Sequence, residues 1–215
     1  MKIVCISDTH AKHRELVLPD GDLLIHAGDI SRRGWPKEVR QFLTWFASQP
    51  HPHKVFIAGN HDFLFEQESA ETIAEMIPEG VHYLNDSGVE IEGIKIWGSP
   101  VQPWFHDWAF NRQRGAEIQQ HWDLIPADTD LLLVHGPPFG ILDRIIHGQR
   151  VGCENLLATV QKIVPKLCVF GHIHEDYGMV RKGETWFVNA SVLDHGYQLR
   201  NAPVEIEWPI EGNYE

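Results

Sequence analysis

The sequence predicts an α/β fold in which two mixed β-sheets pack together inside layers of helix, and three observations predict it. Five short apolar runs, each closed by Gly or by a cluster of Asp, Asn and His, read as strands buried on both faces. Stretches with an apolar stripe at helical spacing lie between them. Further segments alternate apolar with charged residues, the pattern of strands with one wet face. The 215 residues fit one large domain, 1–215, with no internal repeat or low-complexity tract.

The elements follow in order along the chain. Lys2 to Ser7 is a strand that runs into Asp8-Thr9-His10, and Asp22 to Ala27 is a second that runs into Gly28-Asp29. Lys37 to Gln49 is a helix behind Pro36, with Val39, Phe42, Leu43 and Phe46 on one stripe and Pro50 and Pro52 as its stop. Lys54 to Ala58 is a strand ending in Gly59-Asn60-His61-Asp62. Ser69 to Ile77 is a helix stopped by Pro78-Glu79-Gly80. Val89-Glu90-Ile91 and Ile94 to Trp97 form a hairpin across Glu92-Gly93. Ser99 to Asn111, rich in Pro, Trp and Phe, reads as irregular. Asp130 to Val134 is a strand before His135-Gly136-Pro137-Pro138, Glu154 to Val164 a helix, and Lys166 to Phe170 a strand before Gly171-His172-Ile173-His174. Glu184 to Val188 and Val204 to Trp208 complete the strands.

Composition excludes several classes. A formal charge of −12 disfavours nonspecific attraction to a nucleic acid backbone, so genomic DNA is not an expected partner. No apolar run approaches the ~18 to 20 residues of a membrane-spanning helix, so no membrane association is expected. The three cysteines, Cys5, Cys153 and Cys168, are an odd number. The first strand begins at the N-terminus without a leader pattern. Both features favour a cytoplasmic, reducing compartment over a disulfide framework.

If the five strands share a sheet system, their polar ends gather at one edge, the place where ligands bind in open α/β sheets. Taken alone, Asp-x-His or Gly-Asn-His-Asp is ordinary turn chemistry; five such clusters in one chain point to a metal site. Asp8 and His10 are two apart, so on an extended segment their side chains point the same way, and His172 and His174 stand in the same relation. Asp29 has two carboxylate oxygens and is the natural bridge between two ions ~3.5 to 4 Å apart. The expected partition puts Asp8, His10 and His174 with Asp29 on one metal, and Asn60, His135 and His172 with Asp29 on the other. This nitrogen and oxygen set suits Mn, Fe or Zn, with Mn favoured, rather than Ca or Mg. A hydroxide bridging two such ions is a nucleophile at neutral pH, and the ions offset the charge that develops on a phosphoryl group. His61 is expected to act as general acid to the leaving group or as a hydrogen-bond donor in the transition state, with Asp62 orienting it.

These residues resemble the calcineurin-like metallophosphoesterase superfamily, whose ordered motifs Asp-x-His, Gly-Asp, Gly-Asn-His, a lone His and Gly-His-x-His all occur between Asp8 and His174. Within it the chain is most similar to the metallophosphoesterase-domain branch, through Trp104-Phe105, Trp108, Phe110-Asn111, His135-Gly136-Pro137-Pro138, Arg150-Val151-Gly152-Cys153 and Asn189-Ala190-Ser191. The resemblance implies a four-layer α/β/β/α sandwich, a dinuclear metal centre and phosphoester hydrolysis. It departs from the protein Ser/Thr phosphatases in the stretch Gly28-Asp29-Ile30-Ser31-Arg32-Arg33-Gly34. There Arg32 stands where those enzymes carry a second Asp supporting the catalytic His, which counts against protein phosphatase activity.

The expected substrate is a small anionic phosphoester. The branch resemblance implies a phosphodiester, a nucleotide or a 2',3'- or 3',5'-cyclic nucleotide, and a phosphomonoester is the alternative. Trp104, Phe105 and Trp108 are candidates for stacking on a base, and a hydrophobic lid or a homodimer contact is their other reading. Arg33 is a candidate phosphate contact or a solvated surface residue. A non-catalytic binding module on the same fold would have eroded ligands, and none is eroded here. A metallo-β-lactamase type of hydrolase would need a His-x-His-x-Asp-His cluster, which the sequence does not contain.

Overall fold

The structure is a computed structural model and describes residues 1–210; the end of the expected domain span, 211–215, lies outside the described residues. One sheet has five strands. β1 (Lys2–Ile6), β2 (Leu23–His26), β3 (His53–Phe56) and β4 (Val81–Tyr83) run parallel, and β13 (Val204–Glu207) pairs antiparallel with the outer edge of β1. The second sheet has six, in the order β11 (Gly178–Lys182), β12 (Thr185–Asn189), β10 (Leu167–Phe170), β9 (Leu131–Val134), β6 (Ile94–Ser99), β5 (Ser87–Ile91). Its four inner strands are parallel and its two edge strands antiparallel.

The two-residue period of a strand divides the apolar residues between three layers of core. Ile3, Cys5, Leu23, Ile25, Val55 and Ile57 of the first sheet meet Leu131, Leu133, Leu167 and Val169 of the second. Their alternates Val4, Ile6, Leu24 and Phe56 pack with Phe42 and Phe46 of α1 (Pro36–Ala47), Leu64 and Phe65 of α2 (Leu64–Gln67), and Ile73 of α3 (Ala70–Met76). On the far side, Leu132, Val134, Cys168 and Phe170 pack with Ile118 and Trp122 of α4 (Ala116–Trp122) and Leu156 and Val160 of α5 (Glu154–Ile163). Each such side chain contributes about 1.5–3 kcal/mol by leaving water. The result is the α/β/β/α sandwich. β1, β2, β9 and β10 have both faces covered and read as near-continuous apolar runs, which is why periodicity alone separates them poorly from buried helix.

The helices form where local signals agree. Pro36 sits in the first turn of α1, where its fixed φ suits the helix and its missing N–H is no loss. Ser69 caps α3 by accepting from the Thr72 amide at 3.2 Å. The sequence does not announce α2, α4, β4 or β11. α2 and β4 are only four and three residues long. α4 starts at Gly115 with no capping side chain, and β11 is a half-buried edge strand. The stretch Ser99 to Asn111 is not wholly irregular: β7 (Gln102–Pro103) pairs in parallel with β8 (Asn111–Arg112), so that Trp104 to Phe110 forms an excursion held at its base.

Candidate metal centre

β1, β2 and β3 of one sheet and β9 and β10 of the other end at a common edge, and the residues just past each end converge there. His174 Nε2 lies 3.5 Å from Asp8 Oδ1 and 3.3 Å from His10 Nε2. Beside this group, His135 Nε2 lies 3.5 Å from Asp29 Oδ2 and 2.9 Å from Asn60 Oδ1. The ligating atoms of Asp29, His135 and His172 fall within 4.8 Å of one another. Asp29 Oδ2 also stands 3.6 Å from His10 Nε2, so its carboxylate touches both groups.

The backbone that achieves this is not extended, which corrects the reasoning from two-residue spacing. Asp8 (φ 55°), His10 (φ 40°), Asp29 (φ 55°) and His172 (φ 69°) are all left-handed, and His174 begins a 3₁₀ turn, His174–Asp176. The left-handed conformation costs a non-glycine residue roughly 1–2 kcal/mol, and such strain collects where function requires it. Two glycines make room. A Cβ on Gly59 would stand 2.3 Å from Asp29 Oδ1, and one on Gly171 would stand 2.1 Å from Asp8 Oδ2.

A second layer of hydrogen bonds aims the donor atoms. Asp8 Oδ2 accepts from the Ser191 hydroxyl at 2.7 Å and the His172 amide at 2.9 Å, while its buried Oδ1 has no hydrogen-bond partner. Asp29 Oδ1 accepts from the His61 amide at 2.8 Å, leaving Oδ2 toward the histidines. Nδ1 of His135 donates to the Ala27 carbonyl at 2.9 Å and Nδ1 of His174 to the Asp194 carbonyl at 3.0 Å, so both rings present Nε2 to the centre. Deeper still, buried His26 lies between the first two loops: Nε2 pairs with the Thr9 hydroxyl at 3.0 Å and Nδ1 accepts from the Gly28 amide at 3.2 Å. Asp8 Oδ1, without a hydrogen-bond partner, and the sulfur-free nitrogen and oxygen set fit two divalent ions.

Electrostatics agree. Burial presses the Asp29 carboxyl upward, but His135, His61 and His10 more than offset this and hold it well below the carboxylate range. Asp8 is likewise held low against burial, chiefly by His174. Burial pushes down His135 and His174 too. Asp29 outweighs it at His135 and Asp8 at His174, raising both to about 9. The two carboxylates thus favour positive charge at these rings, in the place that divalent ions would occupy. Burial keeps His10 neutral, lowered to about 4, and His172, lowered to about 3.

His61 Nε2 stands 4.0 Å from Asp29 Oδ2, facing the centre from its rim. Asp62 does not orient it. That buried carboxylate accepts from the amides of Ile30, Ser31 and Gly59 and from the Ser31 hydroxyl, tying the loop after β2 to the loop after β3. The partner of His61 Nδ1 is instead the Arg32 carbonyl at 2.8 Å. Trp108 stacks on the His61 ring at 4.1 Å between centroids, and the Arg33 guanidinium lies 5.1 Å above Trp108. The Trp108 ring therefore contacts both the His61 imidazole and the Arg33 guanidinium.

A cavity of about 550 Å³ opens beside the donors, with Trp104, Phe105 and Trp108 in its wall. Trp104 and Phe105 are more than half exposed. Tyr197, also in the cavity lining, packs edge-on against His10 and His174, each at 5.0 Å between centroids. Sequence reasoning assigned no role to Ser191, Asp194, His26 or Tyr197. Ser191 stands in the Asn189-Ala190-Ser191 string that carried part of the resemblance, whereas Asp194 acts through its backbone and leaves no trace in residue type.

A two-group cluster of Asp, Asn and His at the strand edge of this sandwich defines a metallophosphoesterase, and the chain belongs to the calcineurin-like phosphoesterase family, whose sequence model matches residues 1–176. Within the family it lies on the metallophosphoesterase-domain branch. It is 43% identical over 235 aligned positions to metallophosphoesterase domain-containing protein 1 of Homo sapiens, across 99% of this chain and 72% of that one, and the Mus musculus protein gives the same figures. Among solved structures, TT1561 of Thermus thermophilus shares the fold with a TM-score of 0.59 at 14% identity, over 87% of this chain and 88% of that one. Ser191, Asp194 and Tyr197 lie beyond the span the family model matches.

Proposed function

We propose that this chain is a metal-dependent phosphodiesterase acting on nucleotide or cyclic-nucleotide diesters in a reducing compartment such as the cytoplasm. The observation that carries the reading is Asp29 standing between two sets of ligand atoms at the floor of an open cavity. Asp8, His10 and His174 would hold one ion and Asn60, His135 and His172 the other, with Asp29 shared. When bound, two such ions supply Lewis acidity and a water acidified toward neutral pH; manganese suits this donor set.

The chain's own residues do the rest. The Arg32 carbonyl accepts a hydrogen bond from His61 Nδ1–H, which leaves Nε2 toward the cavity, where it would serve as donor to a leaving alkoxide. Trp108 holds the ring flat against the wall. Trp104 and Phe105 line one side of a cavity with room for organic groups on both sides of a phosphoryl centre, which favours diesters over monoesters. The three cysteines are buried and unpaired, in keeping with a reducing compartment.

The test is hydrolysis of bis(p-nitrophenyl) phosphate by chelator-stripped protein before and after adding Mn²⁺. Activity restored by metal is the expected result, and a screen of cyclic nucleotides follows from it. No diester turnover with two equivalents bound, alongside turnover of p-nitrophenyl phosphate, would make the protein a monoesterase.

A further inference from the structure

The cavity wall away from the metal ligands carries two arginines, and they are held differently. Arg114 donates to the carbonyls of Val151 and Gly152, both at 2.8 Å, and pairs with Glu154, so its guanidinium serves the loop itself. The Arg150 side chain makes one polar contact among the described residues: Nη1 donates to Asp143 Oδ1 at 2.6 Å. Its Nε and second NH₂ group have no partner among those residues, and the side chain remains one-third exposed on the cavity wall.

Asp143 is fully buried, and its other oxygen already accepts from the amides of Gly140 at 2.8 Å and Gly152 at 3.1 Å. Those two bonds close the loop without Arg150. Further contacts pin the same segment to the strand-end loop after His135, where the Cys153 amide donates to the Pro137 carbonyl at 2.9 Å and the Phe139 amide to the Cys153 carbonyl at 3.0 Å. The buried carboxylate therefore does something beyond fastening the loop: it fixes one edge of the guanidinium of a cavity-lining residue and leaves the other donors without a partner among the described residues. A fork of fixed N–H groups is the geometry that recognises a carboxylate or phosphate.

We propose that Arg150 is an anion subsite for a second acidic group of the substrate, a carboxylate or phosphate carried on an arm of the ester beyond the phosphoryl group that reacts. This rests on the phosphoesterase reading and narrows it: preferred diesters carry one more negative charge than the reaction needs. An otherwise acidic protein gains selectivity from placing a cation here.

Three probes test it on the Mn²⁺-loaded protein: p-nitrophenyl phenyl phosphate, and the same ester with a 4-carboxylate or a 4-phosphonate on the phenyl arm. The protein is expected to favour the charged probes by about tenfold in kcat/KM, through KM, the scale of one charge-assisted hydrogen bond. The R150Q variant is expected to lose that preference while keeping its metal content. The carboxylate and phosphonate arms show which oxyanion is selected. Should R150Q fold poorly, R150K keeps the charge without the fork and should lose most of the preference. Equal losses for charged and uncharged probes, or no preference in the unsubstituted protein, would overturn the subsite. If no probe is hydrolysed, the phosphoesterase reading fails, yet calorimetric binding of the same probes still decides. Binding about tenfold tighter for the charged ones and lost in R150Q sustains the subsite, and uniform binding removes it.

Discussion

The floor of the cavity and its wall are built on opposite plans. On the floor, Asp8, Asp29, Asn60 and His135 are at most 3% exposed, and each has its backbone or a neighbouring atom fixed by a named partner. On the wall, Trp104 and Phe105 are 52% and 54% exposed on an excursion whose base is a two-residue pairing. The difference teaches where each kind of specificity resides. On the proposed reading the floor would fix the reaction, since metal geometry tolerates little displacement. The wall would select the substrate, since exposed loops change at small cost to the fold.

The sharpest way to break the comparison is at its shared ligand. Asp29→Asn is expected to lose bound metal together with at least about 10³ in kcat/KM, because one charge and the link between the two groups disappear. Metal analysis that still finds two ions at full occupancy would refute the bridging role. Next, His61→Ala should keep both ions and lose about 10²-fold on esters with poor leaving groups, and much less on p-nitrophenyl esters. His61 also lies within ligand reach of His10 and Asp29, so loss of one ion instead would make it a ligand. Ser191→Ala removes the hydroxyl from Asp8 Oδ2 and is expected to weaken metal affinity about 10- to 100-fold by titration, with turnover recovered at saturating metal. Failure to recover would place Ser191 in the chemistry. The smallest effect belongs to the wall: Trp104→Ala should raise KM a few-fold with metal content and thermal midpoint unchanged. A change in oligomeric state without a change in KM would make the loop a subunit contact.

The same contrast explains what was legible in the sequence. The five strand ends could be read because buried parallel strands need continuous apolar residues and metal ligands need Asp, Asn and His, so both constraints leave marks in residue type. The manner of convergence could not be read. Asp8 and His10 meet through left-handed turns rather than along an extended strand, and nothing in Asp-Thr-His distinguishes the two. Asp62 misled because its neighbour in sequence is His61, yet its carboxylate serves three amides on two loops. The support given by Asp194 and Ala27 passes through backbone carbonyls and is invisible to any reading of side chains.

The contact beneath His61 belongs to that hidden class. Where a carboxylate would hold the ring, the Arg32 main-chain oxygen does so. An amide oxygen cannot be deleted by replacing the residue that bears it, and it carries no proton to gain or lose between acid and alkaline solution. The imidazole thus keeps its heading whatever side chain occupies position 32, and that side chain is released for other uses; here it reaches Glu38 at the start of α1. Anchoring the His61 ring to the main chain makes its aim a property of the loop's path.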